Sequence, residues 1–261
     1  VNELLFAFGL TLFAGLATGA GAFLALVTRR TDAKFLAVSL GFSAGVMIYV
    51  SMIEIFVKAQ VALVAELGGR AGAWATAGGF FAGIVLIAVI DRLVPSRVNP
   101  HEYPHDDAGR QRRLMRMGTM TAAAIAIHNF PEGFATFVAA MQEPSVAIPV
   151  VVAIALHNVP EGISVAVPIY HASGSRRKAF RWAFLSGLAE PVGGVLGYLV
   201  LLPFLDDVLF GVVFAGVAGI MVFISLDKLL PTAQEYGEHH LSVYGLVAGM
   251  AVMAVSLLLF V

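Results

Sequence analysis

His128-Asn129-Phe130-Pro131-Glu132-Gly133 and His157-Asn158-Val159-Pro160-Glu161-Gly162 are two copies of one pattern, each inside a long apolar run. Within each copy His and Glu are four residues apart, which puts both on one face of an α-helix, one turn apart. An ionisable group inside an apolar span is costly and marks function by default. The same imidazole, amide and carboxylate appearing twice points to two helices facing each other across a shared polar site. Glu190, in Ser186-Gly187-Leu188-Ala189-Glu190-Pro191, adds a third acid beside a proline, and Glu54 lies late in the second apolar stretch. Imidazole with carboxylate suits divalent Zn, Fe, Mn, Co or Ni. Two His, three Glu and two Asn are ligands enough for two ions sharing bridging carboxylates. Three ionised glutamates in a dry bundle repel one another and bound M²⁺ cancels that repulsion, so binding is expected to release protons and weaken in acid. Pro131 and Pro160 lack an N–H, so the carbonyls of Ile127 and Leu156 lose their helical donors, which predicts a kink or local opening. Carbonyls freed in this way face cations in broken membrane helices.

The elements that position these residues follow from composition. The chain has 261 residues, 59% hydrophobic and only 13% charged, with a mean hydropathy of +0.87. Soluble domains carry about 25% charged residues, so the expected class is an all-α membrane protein. Cysteine is absent, which excludes disulfides and thiolate metal sites. No phosphate-binding Gly-x-x-x-x-Gly-Lys-Ser/Thr run is present. A span needs about 20 mostly apolar residues. Eight stretches qualify, at about 4–28, 35–57, 71–90, 118–141, 147–171, 179–202, 208–230 and 242–261, within a single transmembrane domain over 1–261. The first is too long for a signal-peptide core and is expected to be retained. Of the 16 Lys and Arg, all but Lys58 and Arg70 fall in or beside the odd-numbered loops, chiefly the loop at 91–117. By the positive-inside rule those loops are cytoplasmic, and with eight spans both termini face outside. The spans are rich in glycine, which allows close helix approach where lipid offers no hydrophobic drive.

Two loop tracts carry a weaker signal. One holds His101 and His105, the other Glu235, Glu238, His239 and His240. Short His/acid tracts bind metal transiently, and a solvated polar loop accounts for them equally well. They are expected as a cytoplasmic metal relay. Asp227 beside Lys228 at a span end is expected to be an interfacial ion pair.

The paired His-Asn-x-Pro-Glu-Gly motifs in spans four and five, with Ala189-Glu190-Pro191 in span six and a His-bearing third loop, resemble the ZIP family of zinc and iron transporters. The length and the lack of Cys are most similar to its bacterial ZupT/GufA-type branch. The resemblance covers essentially the whole chain. It implies a bundle of eight transmembrane helices, with spans one to three and six to eight an inverted repeat around four and five, and a binuclear mid-membrane site. Carried over, His128, Glu132, His157 and Glu161 bind the first metal. Asn129, Glu132, Asn158, Glu161 and Glu190 bind the second, with Glu132 and Glu161 bridging. Some members carry Gln and Asp where this chain has His157 and Asn158. Glu54 falls where other members have a metal-contacting or gating residue.

The expected function is uptake of divalent metal, zinc first and also iron, manganese, cobalt or cadmium, across the inner membrane of a bacterium. The metal is cargo and no cofactor is expected. The expected partners are the metal ions, the lipid bilayer and a second copy in a homodimer, with no nucleic acid. The rival is an intramembrane di-metal hydrolase holding a metal-activated water. No His-Glu-x-x-His helix supports it, and both motif acids are used as ligands. A metal-sensing receptor without flux is a third reading.

Overall fold

The computed structural model describes residues 2–28, 33–93, 107–142, 144–201, 206–235 and 239–258. Those residues are helical almost throughout and contain no strand. The order is α1 (Asn2–Thr28), α2 (Ala33–Val50), a π turn (Ser51–Ile55), α3 (Phe56–Leu67), α4 (Gly69–Leu93), α5 (Asp107–Gln142) and α6 (Pro144–Ser173). Then come α7 (Arg176–Gly187), α8 (Ala189–Leu201), α9 (Asp207–Ile224), a second π turn (Ser225–Leu229), α10 (Leu230–Glu235) and α11 (His239–Leu258). Taken end to end these make eight long rods. Among the described residues seven stretches are long and apolar enough to cross a bilayer. The exception is α5. Its first turns carry Arg110, Arg112, Arg113 and Arg116, and its middle carries His128, Asn129 and Glu132, so the helix richest in site chemistry has the most diluted hydropathy.

Three expectations change. The 91–117 loop is shorter than expected, because 107–117 already belongs to α5. Span two does not stop at Val57 but continues to Leu67, where Gly68 at φ +84° turns the chain into α4. Lys58 is accommodated inside that helix by an ion pair to Glu54 one turn back, at 2.7 Å. Of the kink or local opening expected at Pro131 and Pro160, no break in the helix is seen, since helical structure runs through both prolines. The irregularities fall elsewhere. One is a turn at Leu188, three residues before Pro191, and the others are the two π turns. At each π turn a buried serine hydroxyl donates to the carbonyl four residues back, Ser51 to Met47 at 2.6 Å and Ser225 to Met221 at 2.7 Å. A side-chain donor there competes with the backbone ladder, and the N–H five residues on closes the wider turn, Phe56 to Ser51 and Leu230 to Ser225.

The rods pack as two groups. Spans one, four, five and six (α1, α5, α6, α7–α8) share a core of Ala22, Leu26, Ile125, Val165, Ile169 and Ala183. Spans two, three, seven and eight (α2–α3, α4, α9–α10, α11) pair as α2 with α11 and α4 with α9, around Met47, Phe214, Met221 and Met253.

Glycines at the crossings reveal an internal two-fold relation. A Cβ on Gly133 would collide with the Glu190 carbonyl, and one on Gly162 with the Thr18 carbonyl. Gly193 meets Phe130 as Gly21 meets Val159. In the other group, Gly83 meets Gly216 as Gly249 meets Phe42, and Gly219 meets Phe80 as Gly45 meets Leu246. Each pair maps onto its mate with one constant numbering offset per helix, relating α1 to α7–α8, α5 to α6, α2 to α9 and α4 to α11. Gly15 and Gly187 each face the other's carbonyl and lie on the axis itself. Such backbone-to-backbone crossings are the small-residue packing that lipid favours. The relation is also faintly legible in sequence: Gly15-Leu16-Ala17-Thr18 echoes Gly187-Leu188-Ala189-Glu190, and Gly45-Val46-Met47 through Ser51 echoes Gly219-Ile220-Met221 through Ser225.

Candidate metal centre

The two motif helices, α5 and α6, follow one another in the chain and lie antiparallel around this axis. His128, Asn129, Glu132, His157, Asn158, Glu161 and Glu190 are all buried, none more than 1% exposed. Gly133, directly after Glu132, lets α8 approach α5 at Glu190, which is how the third acid reaches the motif pair.

Imidazole and carboxylate meet across the axis rather than within a motif. His128 Nε2 is 3.1 Å from Glu161 Oε1, and His157 Nε2 is 3.3 Å from Glu132 Oε1. The amides anchor the flanking helices in the same crossed fashion. Asn158 Nδ2 donates to the Ala14 carbonyl at 2.9 Å and to Glu190 Oε2 at 2.8 Å. Asn129 Nδ2 donates to the Ser186 carbonyl at 3.5 Å, the two-fold mate of the Ala14 contact. From the second helix group Ser43 Oγ donates to the His157 carbonyl at 3.3 Å.

The acceptor oxygens of this cluster are mostly unanswered. Both oxygens of Glu132, Glu161 Oε2, Glu190 Oε1, Asn129 Oδ1 and Asn158 Oδ1 are buried without a hydrogen-bond partner among the described residues. The approach of His157 to Glu132 lacks hydrogen-bond geometry. Buried acceptors of this kind are expensive, and a hard or borderline divalent cation would satisfy several at once. Among the described residues, no three His, Asp or Glu side chains already converge as a chelate. Instead the Glu132 and Glu161 carboxylates lean on the opposite imidazoles.

Other predicted ligands lie elsewhere. Glu54 sits in the first π turn, partly exposed and paired with Lys58, outside the cluster. Asp227, expected as an ion-pair partner and not as a ligand, pairs with Lys228 at 3.1 Å. His239 and His240 are exposed at the start of α11. Glu235 ends α10, and its side chain lies outside the described residues, as do His101, His105 and Glu238. The polar residue that motif reasoning misses is Thr18. Its Oγ1 is buried without a hydrogen-bond partner beside the same axis, and the Gly-Leu-Ala echo in the sequence points to it.

Long apolar helices around a buried cluster of cation-seeking side chains define a multi-pass membrane protein of the metal-transport class. The ZIP zinc transporter family model matches residues 92–257. The chain is 61% identical over 266 residues to a zinc transporter ZupT of Corynebacterium efficiens, covering 100% of this chain and 99% of the relative. It is 60% identical over 267 residues to one of Lysinibacillus sphaericus and 58% identical over 262 residues to one of Streptococcus mutans, again covering 100% of this chain and 99% of each relative. The chain belongs to the ZIP zinc transporter family. It is a transporter and not an enzyme, which sets aside the hydrolase reading.

Proposed function

We propose that this protein takes up zinc, and other divalent transition metals such as iron, manganese, cobalt and cadmium, across a bacterial cytoplasmic membrane through a two-ion centre at mid-membrane. The observation that carries the proposal is the set of buried carboxylate and amide oxygens without a hydrogen-bond partner beside two crossed imidazoles. His128, Glu132, His157 and Glu161 hold one ion. Asn129, Glu132, Asn158, Glu161 and Glu190 hold the other, with Glu132 and Glu161 bridging. Full-length relatives named as zinc transporters support zinc as cargo.

Ions enter from the outer face, where both termini lie, and leave towards the basic cytoplasmic side. All seven inner ligands sit on spans four, five and six, within one of the two helix groups. Motion of that group against the other, with ligands and cargo carried together, is an economical form of alternating access. With no nucleotide-binding run in the sequence, the driving force comes from the metal gradient, protons or chelation inside the cell.

The test is zinc flux into proteoliposomes containing the purified protein, compared with its Glu132→Ala variant. Saturable flux that collapses in the variant supports the proposal. Wild-type flux in the variant refutes the site, and binding without flux in the unmutated protein favours a sensor.

A further inference from the structure

We infer that the Thr18 hydroxyl is a further cargo-contacting oxygen at the Asn-side metal position, the neutral two-fold counterpart of Glu190. This rests on the two-ion centre proposed above and adds a residue from α1, a helix with no part in the motifs.

The placement follows from two kinds of contact and one spacing, all related by the same two-fold, and the Thr18 side chain faces Gly187 across the axis. Glu190 approaches α5 through its carbonyl at Gly133, and Thr18 approaches α6 through its carbonyl at Gly162. Each stands three residues beyond the glycine on the axis, Gly187 and Gly15 respectively. The motif asparagines bind the carbonyls just before those glycines, Asn129 at Ser186 and Asn158 at Ala14. The internal symmetry therefore puts position 18 where a mirrored Glu190 would be. A carboxylate occupies one side of the axis and a hydroxyl the other.

The state of the hydroxyl supports a ligand role. Buried Thr and Ser in membrane helices usually donate to the carbonyl one turn back. Here Thr11 does so to Ala7 at 3.2 Å and Thr76 to Gly72 at 2.8 Å. The corresponding acceptor for Thr18 is the Ala14 carbonyl, which Asn158 Nδ2 already occupies. Thr18 Oγ1 is left fully buried and without a hydrogen-bond partner, as are Asn129 Oδ1 and Glu190 Oε1. A hydroxyl supplies a neutral oxygen to a divalent cation. Compared with a symmetric pair of acids, it leaves the Asn-side position one negative charge lighter, so the ion there is held less tightly and exchanges faster.

The experiment measures zinc affinity of the purified protein by competition with a chromogenic chelator, and KM and turnover for zinc flux in proteoliposomes. It uses Thr18→Val, Thr18→Ser and Thr18→Asp, with Glu132→Ala as reference. Thr18→Val keeps the shape and removes the oxygen. It should weaken the lower-affinity zinc equivalent and raise KM about tenfold, within the range for losing one supporting contact at a metal site. Thr18→Ser should restore both. Thr18→Asp should tighten binding about tenfold or more and lower turnover. Wild-type affinity and KM in Thr18→Val, with Glu132→Ala inactive, overturns the Thr18 assignment and leaves the two-ion centre standing. Unchanged affinity in Thr18→Asp overturns it equally, even where Thr18→Val fails to fold. Wild-type affinity in Glu132→Ala overturns the centre and the Thr18 assignment together.

Discussion

Replacing Gly133 by Ala tests whether bare-backbone contact between α5 and α8 holds the third acid in place. In an otherwise unobstructed helix this swap is favourable by about 1 kcal/mol. Gly78 on α4 is such a position, exposed, with nothing near a prospective Cβ. At Gly133 the new Cβ would run into the Glu190 carbonyl, and the nearest atoms are all backbone. Backbone cannot swing aside as a side-chain tip can. To restore ordinary carbon–oxygen contact α8 must retreat on the order of 1 Å. Overpacking of this kind costs about 1–3 kcal/mol. The propensity gain is common to both helices and cancels, so the two substitutions should differ by about 1–3 kcal/mol in stability. The same retreat draws Glu190 away from Asn158, its 2.8 Å donor, and from the ion position. A loss of about 10- to 100-fold in zinc affinity follows. Paired thermal melts in detergent and chelator-competition titrations of Gly133→Ala and Gly78→Ala measure both effects. Gly193→Ala, which closes the same crossing from the α8 side against Phe130, should behave like Gly133→Ala. If Gly133→Ala matches Gly78→Ala in melting and in affinity, the close approach is not what positions Glu190.

Glu161→Ala should reduce zinc uptake to the level of empty vesicles, because it removes the carboxylate proposed to bridge the two ions and the 3.1 Å partner of His128; radiometric flux reads this directly. His239→Ala should change uptake less than twofold, roughly the effect of a surface position, since that imidazole is exposed at the start of α11; the same assay decides it. Zinc affinity should fall as pH drops from 7 to 5, with protons released to the buffer on binding, because His and Glu ligate only when deprotonated. Calorimetric titrations in buffers of different ionisation enthalpy would count those protons, and a count of zero at both pH values would contradict ligation by these groups.

The motif pair is legible in sequence because His, Asn and Glu stand out sharply against Ala, Val and Ile in a span. Glu190 is legible for the same reason. Span number follows from the apolar runs, with the weakest signal at α5, where the site chemistry and the arginines of its first turns dilute the hydropathy of a membrane helix. Local backbone form is not legible. Pro131 and Pro160 mark the expected breaks, yet the helix is interrupted at Leu188 and widened after Ser51 and Ser225. A missing N–H costs one bond that packed neighbours can absorb, whereas a serine hydroxyl competing for a carbonyl depends on its rotamer in the packed state. Glu54 looks like Glu190 in sequence and differs in surroundings, because Lys58 captures it one turn on. Thr18 is hidden because a lone Thr in a membrane helix is ordinary. The contacts that map α1 onto α7–α8 turn the faint Gly-Leu-Ala echo into a placement.

The axis through Gly15 and Gly187 bears on vectorial behaviour. A cation resting on a two-fold axis between antiparallel helices meets the same backbone whichever face it came from. The scaffold encodes no preferred direction, and a protein built only of such mates would pass its cargo equally well both ways. Direction must come from the gradients across the membrane and from the few side chains that break the mirror. Thr18, standing where the two-fold would put a second Glu190, is one such mismatch.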